Sequence, residues 1–244
     1  MTLFYDGSFE TFLTLVHKVY YDKLNPDAIL KKAPDSLLFD ALHEVRYDET
    51  KSLAVFEALQ KRFAKEHFER ILHIFMCDGV DFEMDLLCYI ITGFKSQREL
   101  ENITLPYVFR LHALQKELFH ISHKMSGFLR FEELEEGTLY AKLETKYSVL
   151  YFLGIHFSKR LNNQNYIIHD IQRSLAFVHT QEFKGVQKVA EFEAPKLSDA
   201  EQKFSKLWKT FFESVAIKSR ENKKLQKRTV PLLYRTYMTE FMNE

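Results

Sequence analysis

The spacing of apolar residues along the first half of the chain predicts helices with a few short strands. An apolar run at residues 3–5 is followed by the turn dipeptide Asp-Gly, which predicts a strand. Apolar residues then recur every three or four positions over residues 9–22, after Ser8 in the position of a helix N-cap. Residues 43–47 form a second strand candidate. Over residues 48–125 the spacing is again helical and predicts four amphipathic helices.

Apolar and polar residues alternate after Gly127, which is typical of strands. Residues 149–161 interrupt this alternation with helical spacing. The predicted strands cover residues 128–131, 139–143, 166–169, 174–179 and 185–189. The last three are expected to form a meander.

A capping box opens the C-terminal region. In Ser198-Asp199-Ala200-Glu201, the serine oxygen is expected to bond a backbone amide of the first turn, and the glutamate to bond the serine amide. The helix that follows carries an unbroken apolar stripe, which we expect to be buried. The stripe consists of Phe204, Leu207, Trp208, Phe211, Phe212 and Val215. A basic segment over residues 218–228 comes next, and Pro231 starts a short terminal helix.

These patterns together predict an α+β fold in a single compact domain spanning residues 1–244. Its helical N-terminal part, about residues 8–125, is expected to pack on a mainly antiparallel sheet of about five or six strands in residues 127–192. C-terminal helices in about residues 198–241 are expected to close the structure. The 244 residues, 46% of them apolar, are enough to bury a substantial core.

Composition narrows the class of protein without identifying a reaction. Lys and Arg number 34, as do Asp and Glu, so the formal net charge is zero. The two cysteines do not suggest a disulfide framework or a four-thiolate zinc site. The sequence has no signal-peptide pattern and no uninterrupted apolar run of membrane-spanning length. We therefore expect a cytoplasmic protein without membrane association.

Histidines on one helix face raise the question of a metal site. His112, His120 and His123 lie on the polar side of the helix predicted over residues 105–125. Only His120 and His123 have the spacing of a helical ligand pair, and no glutamate completes an H-E-x-x-H pattern. Glycine-rich phosphate loops and dinucleotide fingerprints are also absent from the sequence. We accordingly predict no metal and no cofactor.

Polar residues at the end of one predicted strand can support chemistry. His169 and Asp170 end the strand, and Arg173 follows closely. An imidazole next to a carboxylate and a guanidinium can perform acid–base catalysis or bind a phosphate. The alternative is a structural turn, in which Asp170 binds nearby backbone, Arg173 pairs with Asp170 and His169 packs on the sheet.

The basic C-terminal segment is the most suggestive feature of the sequence. Residues 196–235 contain 11 Lys and Arg residues against four acids. Cations at this density can neutralise phosphates, and neighbouring tyrosines can stack on unpaired bases. The predicted nucleic-acid contacts are Lys218, Arg220, Lys223, Lys224, Lys227, Arg228 and Arg235. The alternative is a solvated helix face near a carboxyl terminus, where cations are favourable anyway.

Several motifs are spread over nearly the whole chain. They are Tyr5-Asp6-Gly7-Ser8-Phe9-Glu10, His123-Lys124-Met125-Ser126-Gly127-Phe128-Leu129-Arg130-Phe131, Leu139-Tyr140-Ala141, His156-Phe157 with Arg160, Ile168-His169-Asp170 with Arg173, and Trp208 followed by Arg220, Asn222, Gln226 and Val230-Pro231. In this order they resemble a bacterial family of uncharacterised proteins known as probable DNA metabolism proteins. The resemblance implies a gene beside that of a radical-SAM protein with a helix-hairpin-helix segment, and kinship to domains fused to uracil-DNA-glycosylase-like domains. It implies no particular reaction.

The charge excess and the resemblance together lead to three hypotheses. The first is an accessory protein in DNA repair or DNA modification that binds DNA, a radical-SAM/helix-hairpin-helix partner enzyme, or both. The second is a hydrolase or transferase acting on nucleic acid or a phosphorylated substrate, and the third is a protein-binding adaptor. The residues considered for enzymatic chemistry are His123, Arg130, Tyr140, His156, His169, Asp170 and Arg173. They form a site only if they converge in one pocket.

Overall fold

A computed structural model describes residues 1–31, 42–189 and 196–241 of the chain. The chain divides into two compact units, Met1–Leu118 and Phe119–Glu244. Each unit combines helices with a sheet, so the predicted α+β class is confirmed. The prediction of a single domain stays a prediction, because compact units need not fold independently. In the described part of the chain, no helix combines the length and apolar character needed to cross a bilayer.

The N-terminal unit contains a three-stranded parallel sheet. Its strands are β1 (Thr2–Phe4), β2 (Ala28–Leu30) and β3 (Leu42–Glu44), and β1 lies in the middle. The sequence predicted a strand near β1 and another at residues 43–47, which overlaps β3. It missed β2, because three apolar residues in a row are too few to show a periodicity.

Five helices follow the order that apolar spacing predicts. They are α1 (Phe9–Tyr21), α2 (Glu49–Arg62), α3 (Lys65–Phe75), α4 (Glu83–Lys95) and α5 (Pro106–Phe128). Ser8 caps α1 by accepting a 3.2 Å hydrogen bond from the Thr11 amide, as its position predicts. The boundary between the two units falls within α5.

The C-terminal unit is built on a five-stranded sheet. Its strands, in sheet order, are β4 (Glu132–Glu133), β5 (Leu139–Leu143), β6 (Tyr166–Asp170), β7 (Leu175–His179) and β8 (Lys184–Lys188). Neighbouring strands are antiparallel except β5 and β6, which are parallel and joined by α6 (Leu150–Arg160). The mainly antiparallel sheet and the meander of its last three strands are therefore confirmed.

The strand predicted over residues 128–131 is wrong. Helix α5 continues to Phe128, and the amide of Leu129 still donates to the Met125 carbonyl at 3.0 Å. The ring of Phe131 packs edge-on against those of Phe157 and Tyr166, at centroid distances of 4.9 and 5.8 Å. These apolar residues are thus spaced for packing around a helix end, and their alternation imitates a strand.

The last part of the described chain contains three α-helices, namely α7 (Asp199–Val215), α8 (Lys223–Thr229) and α9 (Leu232–Arg235). Short 3₁₀ helices at Lys218–Arg220 and Thr239–Phe241 precede α8 and follow α9. Only half of the predicted capping box forms: the Ser198 hydroxyl accepts from the Glu201 amide at 3.0 Å. The Glu201 carboxylate instead accepts from the Glu133 amide at 3.1 Å, and the Ser198 amide donates to the Glu133 carbonyl at 2.9 Å. Glu201 therefore ties α7 to β4.

Burial of the whole apolar stripe on α7 is also a wrong prediction. Trp208 and Phe212 are partly buried. Four other stripe residues keep more than half of their surface exposed: Phe204 62%, Leu207 68%, Phe211 55% and Val215 53%. The helix therefore covers only part of its apolar face within its own unit.

Candidate functional site

One face of the C-terminal sheet gathers polar side chains from three adjacent strands. Tyr140 and Lys142 on β5 alternate with inward-facing neighbours and so share a face. The strand register pairs Glu132 with Tyr140, and Lys142 with His169. All four residues therefore lie on the same face, across β4, β5 and β6.

The centre of this polar face is a buried hydrogen bond between Tyr140 and His169. The Tyr140 hydroxyl lies 2.9 Å from His169 Nδ1, and the two residues are 1% and 5% exposed. Burial lowers the pKa of His169 below its ordinary value; the Asp170 carboxylate opposes this shift and Lys142 adds to it. Burial, reinforced by Glu132, raises the pKa of Tyr140. Near neutral pH the pair is a neutral imidazole next to a neutral phenol.

Glu132 brings a carboxyl group to the same face. It is partly buried, and this burial raises its pKa above the ordinary value. Lys142 pulls the pKa down and Glu201 pushes it up. A carboxyl group with a raised pKa on the same face as a neutral imidazole supplies two groups that can exchange protons with a ligand bound there.

Arg130 lies beside this face but is already engaged. It lines a narrow cleft together with Lys142, Glu144 and Tyr237. Its guanidinium makes two hydrogen bonds to the carboxylate of Glu240, of 3.2 and 2.6 Å. Burial alone would raise the pKa of Glu240, but the bonds from Arg130 and Trp208 hold it below the ordinary value. This ion pair anchors the end of the described chain to the start of the sheet.

Asp170 and Arg173 form the structural turn that the sequence offered as an alternative. The Asp170 carboxylate accepts from the backbone amide of Arg173 at 3.2 Å and from its guanidinium at 3.1 Å. The same guanidinium donates to the backbone carbonyls of Thr145 and Lys146, both at 3.1 Å. Arg173 therefore fastens the loop after β5 to the turn after β6.

The two remaining catalytic candidates lie elsewhere. His123 is exposed on α5, and His156 is exposed on α6. Helix α6 packs on the opposite face of the sheet, where the ring of Phe177 lies against Gly154. Of the seven candidates, the structure thus brings together Tyr140 and His169, with Arg130 at their margin.

The predicted nucleic-acid contacts separate into two groups. Arg220, Lys223, Lys224, Lys227 and Arg228, here called the basic segment, are all exposed on α8 and just before it. Arg235 is only 7% exposed; its Nε donates to the Val230 carbonyl at 3.1 Å, and its guanidinium lies 4.3 Å from the centroid of the Phe241 ring. The side chain of Lys218 lies outside the part of the chain that the structure describes.

A second polar group lies in the N-terminal unit. Ligand atoms of Glu66, His67 and Glu101 come within 4.8 Å of one another, the spacing of a cation site. His67 Nδ1 lies 3.0 Å from the Tyr89 hydroxyl, and an Arg70 nitrogen lies 3.6 Å from Glu101. The guanidinium already supplies the positive charge next to these carboxylates, so the geometry favours an ion-pair network.

Sequence reasoning missed Glu132 and Lys142 as members of the polar face. No sequence motif singles out Glu132, and Lys142 is only one residue of the strand predicted over residues 139–143. Lys142 alternates with apolar neighbours, which indicates a strand position, but only the register of β4, β5 and β6 places Glu132 and Lys142 on the same face as His169.

Comparison with known proteins supplies a family without an activity. No curated protein and no solved structure matches the chain. The sequence model of a family described as a domain of unknown function, DUF4130, matches residues 81–240, and this range includes both the polar sheet face and the basic segment. Since the match covers more than half of the 244 residues, the chain belongs to the DUF4130 family.

Proposed function

We propose that this protein is an accessory factor in DNA repair or DNA modification that holds the phosphate backbone through its basic segment. One observation carries the proposal: five cations are exposed within residues 220–228. Glu221 is the only acid in the sequence between residues 216 and 235, and its carboxylate lies 3.6 Å from the ammonium of Lys223. The segment therefore keeps a net positive charge on a chain that is neutral overall.

Exposed cations of this kind favour a polyanion over a small ligand. Each Lys or Arg that neutralises a phosphate releases a condensed counterion, which provides affinity without sequence preference. The resemblance to probable DNA metabolism proteins supports DNA as the polyanion. It also supports a radical-SAM/helix-hairpin-helix enzyme as the partner that would act on the bound DNA.

Fluorescence anisotropy with a labelled DNA duplex and a labelled single strand tests the proposal. Lys223, Lys224, Lys227 and Arg228 are changed together to Ala, and we expect at least a tenfold loss of affinity at low salt. The matched control changes Lys61, Lys65, Lys95 and Arg98 to Ala, which removes the same charge from exposed positions in the N-terminal unit. Equal affinity of the two variants for both DNA forms would refute the proposal.

A second candidate function is catalysis at the polar sheet face. The observation that favours it is the 2.9 Å contact between Tyr140 and His169, with Glu132 and Lys142 on the same face. This arrangement supplies an acid, a base and a cation, the groups needed for hydrolysis or transfer at a phosphate ester.

Product analysis after incubation with single-stranded DNA, duplex DNA and a simple aryl phosphate tests this candidate. We expect turnover that falls at least a hundredfold in His169→Gln and in Glu132→Gln, because general acid–base groups contribute about 100-fold or more. His156→Gln, an exposed histidine on the opposite side of the sheet, is the control. The enzymatic hypothesis is wrong if turnover persists in His169→Gln, or if the unchanged protein turns over none of these substrates.

A further inference from the structure

A pocket in the C-terminal unit lies between helix α7 and the residues that lead into β4. Its lining combines three aromatic residues with four polar ones. They are Phe131, Phe204 and Trp208, with Arg130, Glu201, Ser205 and Thr239. The volume of about 300 Å³ is at the small end of the range for ligand pockets, so the pocket fits a small ring system. The lining offers such a ligand both ring surfaces and hydrogen-bonding groups.

The aromatic residues of this pocket are held in place without being fully covered. The indole nitrogen of Trp208 donates to the Glu240 carboxylate at 3.3 Å, and the Phe131 ring packs edge-on against that of Phe157 at 4.9 Å. Both rings are only partly buried, and Phe204 is 62% exposed. Rings that are already fixed lose little conformational entropy when a planar ligand stacks on them, which favours binding.

The polar residues disfavour a purely apolar occupant. The Glu201 carboxylate accepts from the Ser205 hydroxyl at 2.8 Å and from the Glu133 amide at 3.1 Å. The guanidinium of Arg130 binds the Glu240 carboxylate and is still 25% exposed. A hydrocarbon group would take these charged groups out of water and give them no hydrogen bonds in return. A ring with donors and acceptors on its edge would replace the water that it displaces.

The charges of the lining indicate which part of a nucleotide the pocket takes. The ion pair of Arg130 with Glu240 is neutral as a whole, and Glu201 adds a carboxylate, so the lining does not attract a phosphate. Helix α7 carries three lysines and three acids and adds no preference. An uncharged nucleobase fits these conditions, because it is planar and has donors and acceptors on its edge.

We propose that this pocket receives an unpaired nucleobase of a DNA strand, which stacks on Phe204 and Trp208. The inference rests on the proposed function, because the basic segment of the same unit supplies the cations for the phosphates of the strand. It adds a preference for single-stranded over duplex DNA, since the bases of a duplex are paired and stacked on one another.

The fluorescence of Trp208 tests the proposal directly, because Trp208 is the only tryptophan in the sequence. Titration with a single-stranded thymine oligonucleotide should quench its emission. A strand of equal length and charge whose sugars carry no bases should leave the emission unchanged, and so should a duplex that binds by anisotropy. Equal quenching by the base-free strand would overturn the proposal.

A substitution at Phe204 tests the stacking contact. Because Phe204 is 62% exposed, Phe204→Ala should fold normally. We expect its affinity for the single strand to fall at least about fivefold while duplex affinity stays the same. Phe204→Tyr keeps an aromatic ring and should bind like the unchanged protein. Phe109→Ala, which alters a 60% exposed phenylalanine on α5, is the matched control. Unchanged single-strand affinity in Phe204→Ala would contradict the proposal.

The variant with Lys223, Lys224, Lys227 and Arg228 changed to Ala separates this inference from the proposed function. At saturation the single strand should still quench Trp208 in this variant, but at a higher concentration. If the variant binds as tightly as the unchanged protein and quenching persists, the role of the basic segment is refuted and the pocket stands. If the unchanged protein binds the single strand without quenching, the pocket alone is refuted. If it binds no DNA, both are refuted.

Discussion

At the scale of single residues, the chemistry of the C-terminal unit depends on burial of polar groups on one sheet face. His169 was predicted from sequence as a site residue because it ends a strand beside a carboxylate. Asp170 in fact belongs to a turn with Arg173, whereas His169 bonds Tyr140, a residue 29 positions away. The residues next to His169 in the sequence suggested that it belongs to a site. They could not identify its hydrogen-bond partner, because that partner depends on the parallel register of β5 and β6.

Stability should depend on pH through His169. Its folded-state pKa lies below the ordinary value because of burial, so the unfolded chain takes up the proton more readily. The stabilisation is complete above about pH 6.5, the usual histidine pKa, and is lost as the pH falls below it. Urea unfolding at pH 7.5 and pH 5.5 should therefore show a loss at the lower pH that is smaller in His169→Gln.

His123→Gln is the control for this measurement, since His123 is exposed on α5. It should lose as much stability between the two pH values as the unchanged protein. An identical loss in His169→Gln would mean that the buried imidazole does not contribute to the pH dependence.

At the scale of secondary-structure elements, sequence patterns located most helices and strands but not what covers them. The amphipathic pattern of α7 predicted a buried stripe, yet periodicity shows only that a face is apolar and not that its own unit covers it. The capping box forms only in part for a similar reason. Glu201 finds a better partner in the Glu133 amide, 68 residues earlier, than in the nearby Ser198 amide.

Close packing between α6 and the sheet gives a prediction about element stability. A Cβ atom on Gly154 would come within 2.1 Å of the Phe177 ring, so Gly154→Ala must displace the ring or the helix. We expect a loss of about 1–3 kcal/mol in the free energy of unfolding, measured by urea denaturation.

Gly127→Ala is the matched control for that substitution. Gly127 lies in α5 with nothing within 4 Å of the added atom. Alanine favours helix over glycine, so this variant should be unchanged or more stable by up to about 1 kcal/mol. Equal effects of the two substitutions would show that the contact between α6 and β7 is not tight.

At the scale of the whole molecule, charge distribution matters more than net charge. The sequence alone predicted the local excess of cations, and the structure shows that five of them are exposed on or beside α8. Arg235 departs from the prediction because its guanidinium lies over the Phe241 ring and its Nε bonds the Val230 carbonyl. A charge count cannot separate a cation that packs from one that faces solvent.

The salt dependence of DNA affinity tests the central claim most directly. The logarithm of the binding constant falls linearly with the logarithm of the salt concentration. Each phosphate contact adds about 0.9 to the steepness of this line for duplex DNA. Replacing Lys223, Lys224, Lys227 and Arg228 with Ala should reduce the slope by up to about 3.6. The control variant at Lys61, Lys65, Lys95 and Arg98 should keep the original slope. If both variants keep the original slope, the basic segment does not hold the phosphate backbone.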